Sequence, residues 1–373
     1  MLCAALPADR ALVGSPLTMT NDSPTSSPTE TSPPPETSLG AKLLLLTLGT
    51  AVGLFMAEAV VRVAGLAPEV VLVQQGRFQL SPNPLIGYEP VPNFNYEGKA
   101  DSFHDYVGTS NSLGFRDDDR SVEKPPGVYR ILLLGDSVTA GQGVRLYENT
   151  YPAILQQRLT EAGLAVEVLN FAVTGYNTQQ EVWTLHDKGL AFDPDLVMVG
   201  FCLNDRKRSD GGILSTLVEQ ERQAQGITRT RSHPWMLRSA LYRLARYRLL
   251  PTPEEPPEMI HGDTVDESFE FLGQLRDAHG FRVLVTIFPR FGKLLQYRWP
   301  EEHAQTHTVA EDLGFSTFDL LPAFQDCRRR LEGKLAHDRY HPTGMGHRCA
   351  GDALAAEIIA RREELGIPLR DGP

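Results

Sequence analysis

Apolar runs recur along the second part of this chain at VYRILLLG (128–135), VEVLNFAV (166–173), DLVMVGFC (195–202) and FRVLVTIF (281–288). Between them lie stretches such as YPAILQQRLTEAG (151–163) and QQEVWTLHDKGL (179–190), whose apolar residues fall at helical spacing. Strands without in–out alternation are buried on both faces, and strands alternating with helices imply a parallel sheet covered by helices. The pattern predicts an α/β fold, a three-layer α/β/α sandwich with a parallel sheet, over residues 128–366.

Ahead of this region, residues 42–66 read KLLLLTLGTAVGLFMAEAVVRVAGL. Leu43 to Ala57 carries no charge, which falls short of the roughly 20 residues that a spanning helix needs. Glu58 and Arg62 interrupt the remainder, but they stand four apart on one helical face and can pair there. With them included, the helix is long enough to cross. Three readings fit: a transmembrane anchor over 41–66, a cleavable signal peptide with Ala57-Glu58-Ala59 as its Ala-x-Ala site, and an apolar helix of a soluble core. We expect the anchor, a single pass with the rest of the protein outside the cytoplasm, periplasmic or extracellular. Residues 1–40 include NDSPTSSPTETSPPPETS (21–38), which has almost nothing to bury, so a disordered tail is expected. Met19, just before it, is a second candidate start.

Two further segments depart from the strand–helix rhythm. Residues 67–127 are rich in turn formers, with SPNPLIGYEPVPNF and SNSLGFRDDDR as the clearest pieces. Short strands and a segment that packs on the following domain are expected there, with Asp117 to Asp119 as a solvated turn. An insertion is expected at 206–263, where a basic, aromatic-bearing helix candidate, SHPWMLRSALYRLARYRLL (232–250), precedes PTPEEPPE. It reads as a solvated helix, a lid, or a surface helix at lipid headgroups.

Composition narrows the partners. The 373 residues are 41% hydrophobic, enough for a sizeable core, and carry a net charge of −11 without a basic block. Nucleic acid is disfavoured as a partner, since its binding needs a basic footprint. The four cysteines lack zinc-site spacing; Cys327 and Cys349 could pair in an oxidising compartment. His303 and His307 stand four apart, but no third ligand completes a metal site, and they read as exposed helix histidines. No Gly-rich phosphate loop or dinucleotide fingerprint appears, so no cofactor is implied.

Candidate chemistry collects where the predicted strands end. In RILLLGDSVTAGQGV (130–144), Ser137 follows an apolar strand directly, either as a cap of the next helix or as a nucleophile. A serine nucleophile needs a base, an orienting carboxylate and oxyanion donors at the mouth of the same sheet. DRYH (338–341) offers Asp338 and His341, three apart in a loop, where the carboxylate can reach Nδ1 and leave Nε2 free. Gly175 ends the turn after one strand and exposes its backbone N–H; Asn204, after the next, carries an amide donor. Asp136 reads as a cap of the next helix or a brace of the loop, with no need to act on substrate.

These blocks, GDS at 135–137, Gly175, ND at 204–205 and DRYH at 338–341, resemble the SGNH (GDSL-type) hydrolase family. The resemblance implies Ser137 as nucleophile, His341 as base and Asp338 as its orienter. It implies an oxyanion hole of the Ser137 N–H, the Gly175 N–H and the Asn204 side chain. The apolar helix and the GYEPVPN…NSLGFRD segment look like those of membrane-anchored bacterial members. One departure stands out: the third block usually reads Gly-x-Asn-Asp, and Cys202 holds the glycine position. Cys202 reads as a buried, inert thiol. The implied activity is hydrolysis of carboxylic esters, O-acetyl esters among them, on a small molecule or carbohydrate. The alternatives are an O-acyltransferase acting on envelope carbohydrate with the same triad, and a catalytically silent binding module.

Overall fold

In the computed structural model, the described residues are 38–67, 76–97, 106–206, 213–214, 216–218, 221, 236–245 and 264–370. Residues 1–37 of the expected disordered tail and most of the expected insertion lie outside them, while Leu39 and Gly40, placed in that tail, open the first helix. The chain divides into two units, Met1–Met56 and Ala57–Pro373. Helix α1 (Leu39–Val63) has 25 residues, with a mean hydropathy of 2.0 over an 18-residue stretch, and is long and apolar enough to cross a membrane. At about 1.5 Å per residue it exceeds the ~30 Å of a bilayer core.

In the second unit, β1 (Phe78–Leu80) and β2 (Tyr88–Pro90) pair antiparallel. The main sheet is built from β3 (Tyr129–Gly135), β4 (Val166–Asn170), β5 (Leu196–Cys202), β6 (Arg282–Phe288) and β7 (Ser316–Asp319). Its order is β4-β3-β5-β6-β7, and every neighbouring pair is parallel. The connections run outward in both directions from β3 and β5, which makes the carboxyl ends of those two strands the switch point where such sheets bind ligands.

The unalternating apolar runs are explained by two cores, one on each face. On β3, Leu132 and Leu134 join one core with Val182 and Leu185 of α3 (Thr178–Asp187). Ile131 and Leu133 join the other, with Leu155 and Leu159 of α2 (Tyr151–Glu161). The second face is completed by α7 (Leu321–Arg330) and α8 (Gly344–Ala360), through Phe324, Leu354 and Ile358. On the first face, α5 (Val265–His279) contributes Phe269 and Leu272, and α6 (Pro300–Asp312) contributes Ala310. The three-layer α/β/α sandwich is the fold. Asn177 caps α3 in a reciprocal bond with Gln180, and Thr343 caps α8; both set helix starts just past strand or loop ends near the switch point.

Within the insertion region, the short α4 (Ala240–Leu244) is held by Glu58. The Glu58 carboxylate accepts bonds from the Ser239 hydroxyl and from the N–H groups of Ala240 and Leu241, each at 2.8 Å. The expected Glu58–Arg62 pair forms as well, at 2.6 Å.

Candidate active site

Past β3 the chain turns back on itself without forming a helix. The Ala140 N–H bonds the Asp136 carbonyl at 3.0 Å, the Gln142 N–H bonds the Ser137 carbonyl at 2.8 Å, and the next α-helix starts at Tyr151. Ser137 therefore has no α-helix to cap. Its Oγ lies 2.9 Å from Nε2 of His341, although 204 residues separate the two. Nδ1 of the same ring lies 2.7 Å from Oδ2 of Asp338. The other Asp338 oxygen accepts the N–H groups of Tyr340 and His341 at 2.8 and 2.9 Å. Desolvation raises the Asp338 pKa, but the His341 ring and these two N–H groups outweigh it and hold the carboxyl well below its usual range. Asp338 is therefore an anion at any ordinary pH.

Of the two readings of Asp136, the loop brace holds: the residue is buried, and with no α-helix between it and Tyr151 there is none for it to cap. One oxygen accepts the Val138 N–H at 2.8 Å; the other accepts Nδ2 of Asn204 at 3.0 Å and lies 3.5 Å from Ser137 Oγ. Burial pushes its pKa up, and the bonds from Asn204 and Val138 oppose that. An amide nitrogen carries two N–H groups, so the Asp136 contact fixes the Asn204 side chain and leaves a second donor.

Gly175 adopts φ 83°, in the left-handed region. A methyl group there would stand 2.7 Å from the Tyr88 hydroxyl oxygen, so both conformation and space require glycine. Cys202, by contrast, has no positive φ, and its position tolerates a side chain. The turn closes normally behind it, with the Asp205 N–H on the Cys202 carbonyl at 2.9 Å. Burial, then the nearby Asp136 and Asp205 charges, push the Cys202 thiol well up, which makes it inert.

Two acids lie buried behind the Asn204 turn. Asp205 accepts the Cys202 N–H at 3.2 Å, while neither carboxylate oxygen of Glu181 has a hydrogen-bond partner among the described residues. Burial pushes both pKa values up; the charge of Asp136 raises Glu181 further, and those of Glu181 and Asp136 raise Asp205 further.

Several supporting residues were not visible in the sequence. Arg116 is buried and donates to the carbonyls of Ala140, Gly141, Val144 and Arg145, clamping the loop that follows Ser137. Its neighbour Asp117 accepts the Asn170 N–H at 2.9 Å and the Tyr147 hydroxyl at 2.9 Å. This corrects the expected solvated Asp117–Asp119 turn: Asp118 and Asp119 are exposed, but Asp117 is buried because the end of β4 needs its acceptor. Tyr88 donates to the Thr174 carbonyl at 2.8 Å, under the Gly175 turn. The only sequence signal for these was that the 67–127 segment mixes aromatic and charged residues with its turn formers.

The two helix histidines also differ from expectation. His303 is 3% exposed, with Nδ1 at 3.0 Å from Asp319 and Nε2 at 2.7 Å from the Tyr297 hydroxyl. His307 is half-buried, 2.8 Å from Thr317 Oγ1. Strand β7 runs beneath α6 and its polar side chains need partners, which the histidines supply. Cys327 and Cys349 form a disulfide between α7 and α8, on either side of the loop that carries Asp338 and His341.

A doubly wound parallel sheet with Ser, His and Asp converging at its carboxyl edge is the frame of an ester-hydrolysing enzyme. A sequence model of the GDSL-like lipase/acylhydrolase family matches residues 133–349, more than half of the chain, and the protein belongs to that family. No curated protein matches it. Among solved structures, an acetyl xylan esterase, AlAXEase, is 16% identical, with 61% of this chain and 99% of that chain covered and a TM-score of 0.38. A lipase/acylhydrolase from Enterococcus faecalis is 17% identical, with coverage of 65% and 100% and a TM-score of 0.39. An acetylxylan esterase from Geobacillus stearothermophilus is 17% identical, with coverage of 62% and 94% and a TM-score of 0.39.

Proposed function

We propose that the protein is a membrane-anchored serine esterase that cleaves carboxylic esters, O-acetyl esters among them, on a small molecule or carbohydrate. Ser137 Oγ attacks the ester carbonyl and passes its proton to His341 Nε2. Asp338 holds the ring by Nδ1 and stabilises the imidazolium that forms. The oxyanion is received by the N–H groups of Ser137 and Gly175 and by the Asn204 N–H that Asp136 leaves free. Collapse expels the alcohol, which takes the proton from His341 and leaves an acyl-Ser137. Water, deprotonated by His341, then releases the acid and restores the hydroxyl. The observation that carries this reading is the unbroken contact chain from Ser137 through His341 to Asp338, at 2.9 and 2.7 Å.

The anchor reading assigns residues 41–66 to a single span, and the Cys327–Cys349 disulfide fits a catalytic domain outside the cytoplasm, since such bonds persist in oxidising compartments. The full chain in detergent, assayed on 4-nitrophenyl esters of increasing acyl length, tests the chemistry. Ser137→Ala should abolish turnover, and Asn204→Ala should lower kcat by about 10²–10³. Full activity in Ser137→Ala would overturn the mechanism. Release of the protein from membranes by an alkaline carbonate wash would overturn the anchor.

A further inference from the structure

Two residues beyond β6, at the edge where Ser137, Gly175 and Asn204 lie, stands Arg290, on which the proposed mechanism does not draw. Its backbone is fixed: the Arg290 N–H donates to the Tyr297 hydroxyl at 3.1 Å, and that hydroxyl lies 2.7 Å from His303 Nε2. His303 is held in turn by Asp319 at 3.0 Å. The next N–H, of Phe291, donates to the Arg339 carbonyl at 2.7 Å, which ties this loop to the one bearing Asp338 and His341. The side chain is fixed as well. Its guanidinium carbon lies 4.6 Å from the Trp299 ring centre and 5.3 Å from that of Tyr340, the residue before His341.

Stacking uses the faces of a guanidinium and leaves its in-plane N–H fork free. Among the described residues that guanidinium makes no hydrogen bond or ion pair, and its Nε is buried without a partner. The buried Arg130, by contrast, donates to Glu167 and to four carbonyls. The surroundings of Arg290 add charge of the same sign. Lys293, Arg298 and Arg339 are exposed and form no ion pair among the described residues, in a chain whose net charge is −11. Glu301 and Glu302, in the first turn of α6, pair with none of the four cations.

We propose that Arg290 is a specificity-determining residue whose fork receives an anionic group, a carboxylate or a phosphate, carried by the substrate beside the ester. The substrate class is then an ester of an acidic carbohydrate, and a neutral one is disfavoured. This rests on the esterase reading above. A planar, pre-set fork meets either oxyanion in two parallel bonds, and two aromatic walls keep competing water from its faces.

The test uses the full chain in detergent and three acetylated sugars of one scaffold: methyl glucoside, methyl glucuronoside, and methyl glucoside 6-phosphate. The wild type should favour one or both acidic sugars in kcat/KM by about ten- to a hundredfold, mainly through KM, with the preference shrinking as salt rises. Arg290→Gln should bring the ratio of acidic to neutral sugar close to one. Arg290→Lys, which keeps the charge and the stem, should lose most of the preference for the planar carboxylate and less of that for phosphate. A preference for the glucuronoside alone identifies the source as a uronate, and one for the phosphate alone as a phosphorylated sugar. Equal kcat/KM on all three in the wild type overturns the proposal whether or not the variants fold. So does an acid preference that survives unchanged in Arg290→Gln. Absence of any Ser137-dependent turnover, 4-nitrophenyl acetate included, removes the esterase reading and the subsite with it. Ser137-dependent turnover without charge preference removes the subsite alone.

Discussion

Asp117 and His347 are buried groups whose titrations oppose each other. Burial pushes the Asp117 carboxyl from 3.8 up to about 6, against the bonds from the Asn170 N–H and Tyr147 and the charge of Arg120. The folded state thus keeps this proton to higher pH than the unfolded chain does. Its stabilising share is complete below the unfolded value and is lost as pH rises through about 6. Burial, and then the charges of Arg116, His341 and His337, push His347 from 6.5 down to about 3. Its share is present above the unfolded value and is lost as pH falls through about 3. The two slopes overlap and partly cancel between about pH 4 and 6, and one substitution should separate them. Asp117→Asn should gain stability relative to the wild type as pH rises through that window, read by denaturant midpoints at several pH values. Parallel curves would mean that Asp117 does not titrate there.

At the scale of elements, the loop of Ser137 is drawn onto the sheet by two glycines. Gly135 of β3 and Gly200 of β5 are register partners. A methyl group on either would stand 2.1 or 2.3 Å from the Thr139 hydroxyl oxygen, which fills the space between them. Gly135 stood out in the sequence as part of the GDS block, but nothing there paired it with Gly200. The four buried strands were legible because each is mostly apolar without alternation, and Ser137, His341 and Asp338 stood out as candidates because they follow a strand end or share a short loop. Strand β7, STFD, was not legible. It is an edge strand whose four positions are all half-buried, so burial imposes no period on it. The same reason hid His303, whose partners come from β7 and from a loop, contacts that no local pattern encodes. The disulfide belongs to this scale too, since it ties α7 to α8 across 22 residues of sequence that include the Asp338–His341 loop. Closing a loop of that size stabilises a fold by about 3 kcal/mol in the chain-entropy view. Reduction, or the paired Cys327→Ala and Cys349→Ala change, should lower the unfolding free energy by about that amount, measured by urea titration. No shift on reduction would mean that the α7–α8 packing alone holds the loop.

For the molecule as a whole, the sheet gives its two ends different tasks. Acids, the nucleophile candidate and the free arginine fork gather at the carboxyl edge. The amino end is closed by Arg130, wholly buried, whose side chain binds Glu167 at 2.8 Å and the carbonyls of Ser121, Val122, Glu123 and Phe192. It thereby fastens the segment before β3, the β4 strand and the turn before β5 to one point. Lysine has three donors on a single atom and cannot reproduce that planar fan. Arg130→Lys should therefore lower Tm by several degrees while leaving KM and kcat on 4-nitrophenyl acetate as they are, checked by calorimetry alongside the assay. A parallel fall in kcat would show that strain travels the length of β3. Seven residues at ~3.3 Å each separate Arg130's end of that strand from Ser137's by about 20 Å. Robustness and selectivity are thereby housed apart, and a lineage can retune what it cleaves at one rim while the opposite rim absorbs the thermal cost.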